Sequence, residues 1–311
     1  MAIEMKRKIF ALAAILLAFA IAAVPLSHVR ADENAYQLVD NWAQFPDGGQ
    51  WGVMSAVDID SKGNIYALQR DDKKTNTKSQ VLVFDSNGKF LKSWAVGMFP
   101  VAHGLRVLAD GNVWVTDHGV QQVFKFDPDG NLLMTLGQKG VSGDNNSQDS
   151  FNGVSDIAMG KNGDLFVADG EGKNTRVVKF SKDGKFIKFW GTKGSDPGQF
   201  DTPHSIAVDA RGNVWVCDRG NKRLQEFDED GKFLSQLTQF GTTTAMAIGK
   251  NDVMYVADAA PENSLTVMTA DGKVLATFGG LANAHGVAVD ASGNIYVAES
   301  GAMKVLKYVK K

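Results

Sequence analysis

Three histidines stand at the heads of closely similar phrases: His103 in HGLRVLADGNVWVTDH, His204 in HSIAVDARGNVWVCDR and His285 in HGVAVDASGNIYVAES. Imidazole is the commonest protein ligand for transition metals, and a three-histidine set leaves positions open for water or substrate. Three more phrases of the same pattern begin at Ser55, Ser155 and Thr244, so histidine alternates with hydroxyl residues along the chain. The plain alternative is that each ring hydrogen-bonds to water or to a neighbouring Ser or Thr, as a lone channel histidine would. A threefold set in one register favours a metal, and imidazole donors favour zinc or another transition metal over calcium, which prefers oxygen.

A second register follows the residue that ends each phrase's second apolar segment, and it reads Arg70, His118, Gly170, Arg219, Ala259 and Ser300. If it opens on the same face as the histidines, Arg70 and Arg219 place fixed positive charge beside a metal, which suits a small carboxylated substrate. The alternative is a surface arginine paired with a loop acid. His118 reads as a bystander, because a fourth protein ligand would close the site. Asp117, Asp169, Asp218 and Asp258 recur in too many copies to be special, and read as acceptors of backbone hydrogen bonds in turns. Cys217 reads as a small buried hydrophobe. As the only cysteine, it leaves no intramolecular disulfide.

The elements that must position these residues come from the repeat. Six phrases, starting at Ser55, His103, Ser155, His204, Thr244 and His285, recur at intervals of roughly 40 to 50 residues. Each holds two alternating segments joined by a turn, followed by a third segment such as QVFKFD and a fourth such as GKFLKSW. Four short antiparallel strands per unit, without helical periodicity, describe a blade, and six blades an all-β propeller. The first strand of each blade is innermost, so the histidines converge on the channel from alternate blades. The tryptophans, including Trp94, Trp114, Trp190 and Trp215, read as core between blades. The last copy ends at KVLKYVKK without a fourth strand. The segment LVDNWAQFP from Leu38 echoes LKSWAVGMFP from Leu91, so the N-terminal strand is expected to complete the sixth blade and close the ring.

Lys6, Arg7 and Lys8 precede an apolar run from Ile9 to Val24, the layout of a secretory signal. Cleavage after Ala31 would leave residues 32–311 as one propeller domain, periplasmic or secreted, with no membrane span. A net charge of −2 with interspersed signs offers no basic face for nucleic acid, and nothing in the sequence calls for more than a monomer.

The phrasing GQFDTPHSIAVDARGNVWVCDRGNKRLQEFDEDGKF resembles the NHL repeat, which implies this propeller type over nearly the whole mature chain. At the histidines the chain is similar to the peptidyl-α-hydroxyglycine α-amidating lyases (peptidylamidoglycolate lyases). HGLRVLADGNVWVTDHGVQQVFKFDPDG, FDTPHSIAVDARGNVWVCDRGNKRLQEF, ANAHGVAVD and the Arg70 that follows IYALQ carry that resemblance. It implies zinc on His103, His204 and His285. It also implies that Arg70 and Arg219 orient the substrate's carboxylate and hydroxyl, with cleavage of peptidyl-α-hydroxyglycine to an amide and glyoxylate. Two departures stand out. The family tyrosine after the third blade's second strand is missing from the longer Asp169–Arg176 loop, where Glu171 is either a substitute base or a solvated loop acid. Gly286 replaces an aspartate, which counts against the family's structural calcium. Two other readings stay open. One is a non-catalytic propeller binding a peptide, sugar or protein. The other, ranked last, is a lactonase-type hydrolase, which would want Asp, Glu and Asn on calcium where this register offers His, Ser and Thr.

Overall fold

The computed structural model describes residues 35–71, 78–259 and 261–311. The expected signal, residues 1–31, lies outside them. Twenty-four strands among the described residues form six four-stranded antiparallel sheets, alongside two short 3-10 turns. Among the described residues, no helix is long and apolar enough to cross a membrane. We number the blades in chain order from the one whose inner strand is Val53–Ile59. The other inner strands are Ala102–Val107, Pro203–Val208 and Ala284–Val289 in blades 2, 4 and 6, and Val154–Met159 and Thr242–Ile248 in blades 3 and 5. The sequence expectation of a six-bladed all-β propeller holds.

The ring is closed as the strand echo suggests. Tyr36–Val39 pairs antiparallel with Lys304–Lys310, Tyr36 opposite Lys310 and Val39 opposite Lys307, and so becomes the outer strand of blade 6. The echo is physical too. Trp42, Trp94 and Trp190 each lie against the outer turn glycine of the next blade, Gly88, Gly130 and Gly231, where a Cβ would have no room. The Trp42 indole also donates to Val305 O at 2.9 Å, tying the N-terminal segment to the last strand.

Six buried apolar clusters lie at the six blade interfaces, each combining residues of two adjacent blades. Middle strands are covered on both faces, which is why Val113–Asp117, Leu165–Asp169 and Val214–Asp218 are buried throughout rather than alternating. Trp114, Trp215 and Cys217 are fully buried there, and burial pushes the Cys217 thiol up, away from thiolate chemistry.

The aspartates that end the second strands hold the loops between blades, as expected. Asp117 accepts from Val101 N and Val120 N, Asp169 from Asn152 N, and Asp218 from Asp201 N, all at 2.7–2.9 Å. Gln69 and Glu299 do the same in blades 1 and 6, accepting from Gly52 N and Ala282 N at 2.6 Å. This repeated bond fixes the face on which Arg70, His118, Glu171 and Arg219 emerge.

Candidate metal centre in the channel

Every inner strand carries a register shift at the ring position: Ser55, His103, Ser155, His204, Thr244 and His285 each fall where pairing with the second strand slips. A bulge leaves one residue outside the ladder and re-aims it. Here it turns one backbone carbonyl toward the preceding blade. Nδ1 of His103 lies 2.9 Å from Ser155 O, that of His204 2.6 Å from Thr244 O, and that of His285 2.7 Å from Ser55 O. A carbonyl can only accept, so each Nδ1 carries the proton and each Nε2 presents a lone pair. This carbonyl-to-imidazole contact is how metal-binding histidines are usually oriented.

The three rings form a near-equilateral triangle, with centroids 4.8, 4.8 and 5.1 Å apart. One ligand nitrogen from each lies within 4.8 Å of the others. Burial holds all three pKa values well below the usual histidine range; a neighbouring imidazole and Arg70 lower each further, and Arg219 lowers those of His204 and His285. The rings are therefore neutral at neutral pH. Nε2 of His103 and of His204 is buried with no hydrogen-bond partner. An orphaned buried lone pair is costly in a folded protein; two such nitrogens, joined by that of the half-buried His285 within 4.8 Å, fit a transition-metal ion. The contact to the neighbouring Ser and Thr that the plain alternative called for is present, but through their backbone carbonyls at Nδ1, which leaves Nε2 free, and not through their hydroxyls. Those hydroxyls face elsewhere: Ser155 Oγ donates to Ala168 O and Pro203 O, and Thr244 Oγ1 to Ala257 O and Ala284 O. Thus they lock the blades that carry His204 and His285.

The matching carbonyl before His103, Ala102 O, accepts instead from Arg70 Nε at 3.0 Å. Arg70 therefore borders the ring, as the second register suggested. Arg219 Nη1 donates to Glu171 Oε1 at 2.8 Å, and that oxygen lies 3.3 Å from His204 Nε2, while Oε2 lies 3.9 Å from His103 Nε2. Glu171 is thus no solvated loop acid; its side chain is only 17 % exposed. His118, set aside from sequence, belongs to the site: its ring centroid is 5.7 Å from that of His103, and with His103 and Glu171 it forms a second trio of candidate donors. Gly286 has no room for the family aspartate, since a Cβ would lie 2.8 Å from Ala56 Cα.

Beyond the histidines the channel is plugged. Arg106 donates through Nε to Asp156 Oδ1 at 2.9 Å and through Nη2 to Asp156 Oδ2, Ser205 Oγ and Met246 O. A cavity of about 20 Å³ remains between ring and plug, room for one water. Access is therefore from the other side, where Gly170, Glu171, Thr202, Arg219, Lys222 and Thr242 line a cleft of about 440 Å³, within the size range of small-molecule sites. The sequence held a sign of the plug. One inner position reads Asp58 and Arg106 but Ala158, Ala207, Ala247 and Ala288, and its neighbour carries Asp156 and Ser205 among alanines and glycines.

A six-bladed propeller with histidines at the head of alternate blades defines the class of protein. The NHL-repeat model matches residues 99–126, 200–227 and 281–308, the three histidine blades, and the chain belongs to the NHL-repeat family. It is 31% identical to human (Homo sapiens) NHL repeat-containing protein 3 over 90% of this chain and 86% of that protein. It is 26% identical to a probable peptidyl-α-hydroxyglycine α-amidating lyase of Caenorhabditis elegans, over 95% of this chain and 97% of that one. A solved streptogramin B lyase structure matches with a TM-score of 0.62 at 14% identity, covering 89% of this chain and 98% of that one, a likeness of fold.

Proposed function

We propose that this chain is an exported, metal-dependent carbon–nitrogen lyase that cleaves a peptidyl-α-hydroxyglycine or a close analogue into an amide and glyoxylate. The observation that carries it is the ring of three Nε2 lone pairs, each oriented by a backbone carbonyl at its Nδ1. Similarity to a protein named as an amidating lyase along its whole length supports the reaction class.

His103, His204 and His285 would hold the metal, zinc by the chemistry of the donor set. Bound there, it supplies Lewis-acid polarisation of the substrate hydroxyl. Arg219 and Arg70, on the open side of the ring, take the substrate carboxylate and orient the reacting carbon. Glu171 is the group placed to receive the hydroxyl proton, the role a tyrosine would fill in the resembling family. As that proton leaves, the carbinol C–O becomes the aldehyde of glyoxylate. The C–N electron pair passes to nitrogen, which takes a proton and departs as the amide. His118, beside His103 and Glu171, stands where that returning proton is needed. The Arg106 plug closes the far end of the channel. The leading basic and apolar segment at residues 6–24 supports export to the periplasm or medium.

The test is glyoxylate release from an N-acyl-α-hydroxyglycine by zinc-loaded protein. Metal-dependent release, lost on chelation and with His204→Ala, is expected. Zinc-loaded protein that releases none above the uncatalysed rate contradicts the lyase reading and leaves a ligand-binding propeller.

A further inference from the structure

The loop after the second strand of blade 3 is longer than its counterparts in the three histidine blades, 2, 4 and 6. Asp169 faces Arg176 across the ladder as Asp117 faces Gln122 and Asp218 faces Arg223, yet the blade 3 loop is two residues longer. Its path is fixed by hydrogen bonds. Gly170 N and Glu171 N both donate to Gly153 O, at 2.9 and 2.8 Å, and Asn174 and Arg176 both donate to Asp169 Oδ2. The extra length carries Glu171 over the channel mouth, with Oε1 between Arg219 Nη1 and His204 Nε2 and Oε2 turned toward His103 Nε2.

A carboxylate between a guanidinium and a set of unpartnered imidazole lone pairs occupies the place suited to a carboxylate ligand of that metal. We propose that Glu171 is a built-in occupant of this site. It donates to the metal while no ligand is bound, and an incoming small carboxylate displaces it from Arg219. The inference rests on the metal-centre reading above and adds how ligand entry is regulated. Arg219 Nη1 is engaged by Glu171, and two carboxylates crowded at one guanidinium repel each other. Ligand binding therefore includes the cost of breaking the Arg219–Glu171 pair, and the displaced Glu171 is released beside the reacting group.

Two equilibrium measurements on full-length protein test this: zinc affinity by competition with a chromogenic chelator, and N-acetylglycine affinity of the zinc-loaded protein by calorimetry. Glu171→Ala, and Glu171→Gln with its volume kept, are expected to weaken zinc binding about tenfold or more, in the range seen for groups that support a metal site. Both are expected to tighten N-acetylglycine binding, Glu171→Ala by about tenfold, a gain of roughly 1.4 kcal/mol, while Arg219→Ala abolishes it. If the wild type binds zinc but either affinity is unchanged in the Glu171 variants, the inference is overturned and the metal centre stands. Failure of the wild type to bind zinc overturns both.

Discussion

At the scale of single residues, the orientation of each imidazole depends on a backbone carbonyl one blade away, so positions that set the distance between blades matter as much as the ligands. Gly104 is the clearest case. A Cβ there would lie 2.5 Å from Ser155 O, the acceptor of His103 Nδ1, and 2.9 Å from Thr116 Oγ1, which donates to that same carbonyl. Gly104→Ala must push the acceptor away, and is expected to cost ~1–3 kcal/mol of stability and to weaken zinc binding about tenfold. Chemical denaturation and a competition titration on one preparation read both, and an unchanged zinc affinity would show that the carbonyl contact does not orient His103. Residue roles were unevenly legible. The histidine register could be read because repetition exposes exceptions. Glu171 and His118 could not be placed, because their positions depend on loop path rather than on register. The bulge at every ring position was also invisible, since a single slipped pairing leaves no mark on alternation.

At the scale of elements, the closing strand does what the echo with Leu91–Pro100 suggested. Tyr36–Val39 has only four residues, so its hold depends on a few contacts. Tyr36 is 7% exposed, meets Phe278 edge-to-face with centroids 5.1 Å apart, and joins the apolar cluster between blades 5 and 6. Tyr36→Ala is expected to cost ~3–5 kcal/mol, as large-to-small changes of buried aromatics do, and to expose the edge of Lys304–Lys310 to pairing between molecules. A lower melting temperature together with concentration-dependent association in sedimentation would bear this out. A monomer of wild-type stability would mean that the ring is closed by Trp42 and Val305 rather than by the strand. Blade count and closure were legible in the sequence because each blade repeats its turn residues. The Arg106–Asp156–Ser205 plug was harder to see, because it joins single exceptions from three blades. Its sign was charge at positions otherwise filled by alanine and glycine.

At the scale of the whole molecule, the side chains that hold the loops of the six blades are not equivalent, Gln69 being neutral and the rest acids, and this gives stability a pH dependence. Asp169 and Asp218 are each paired with an arginine, Arg176 and Arg223. Asp258 is not given such a partner in its ladder, where it faces Ser264. Burial pushes the Asp258 carboxyl up to about 6, and the nearby Glu262 adds to this against a backbone bond from Gly241. A carboxyl whose folded pKa lies above its unfolded value binds its proton more tightly when folded. The resulting stability is complete below the unfolded value near 4 and lost as pH rises through about 6. Asp258→Asn keeps an acceptor for Gly241 N, so the variant is expected to match the wild type near pH 4 and to exceed it by about 2 kcal/mol at pH 7.5. Denaturation curves at the two pH values decide it, and a difference independent of pH would rule out the titration of Asp258 as the cause.

The same whole-molecule view joins the plugged channel, the neutral imidazoles and the single open side into one claim, that alternate blades build a metal centre. The most direct measurement is the zinc bound per chain after loading and exhaustive dialysis, compared between the wild type and the single variants His103→Ala, His204→Ala and His285→Ala. The account predicts one zinc per wild-type chain and its loss in each folded variant. A wild type that retains no zinc, or variants that retain as much as the wild type, would contradict it.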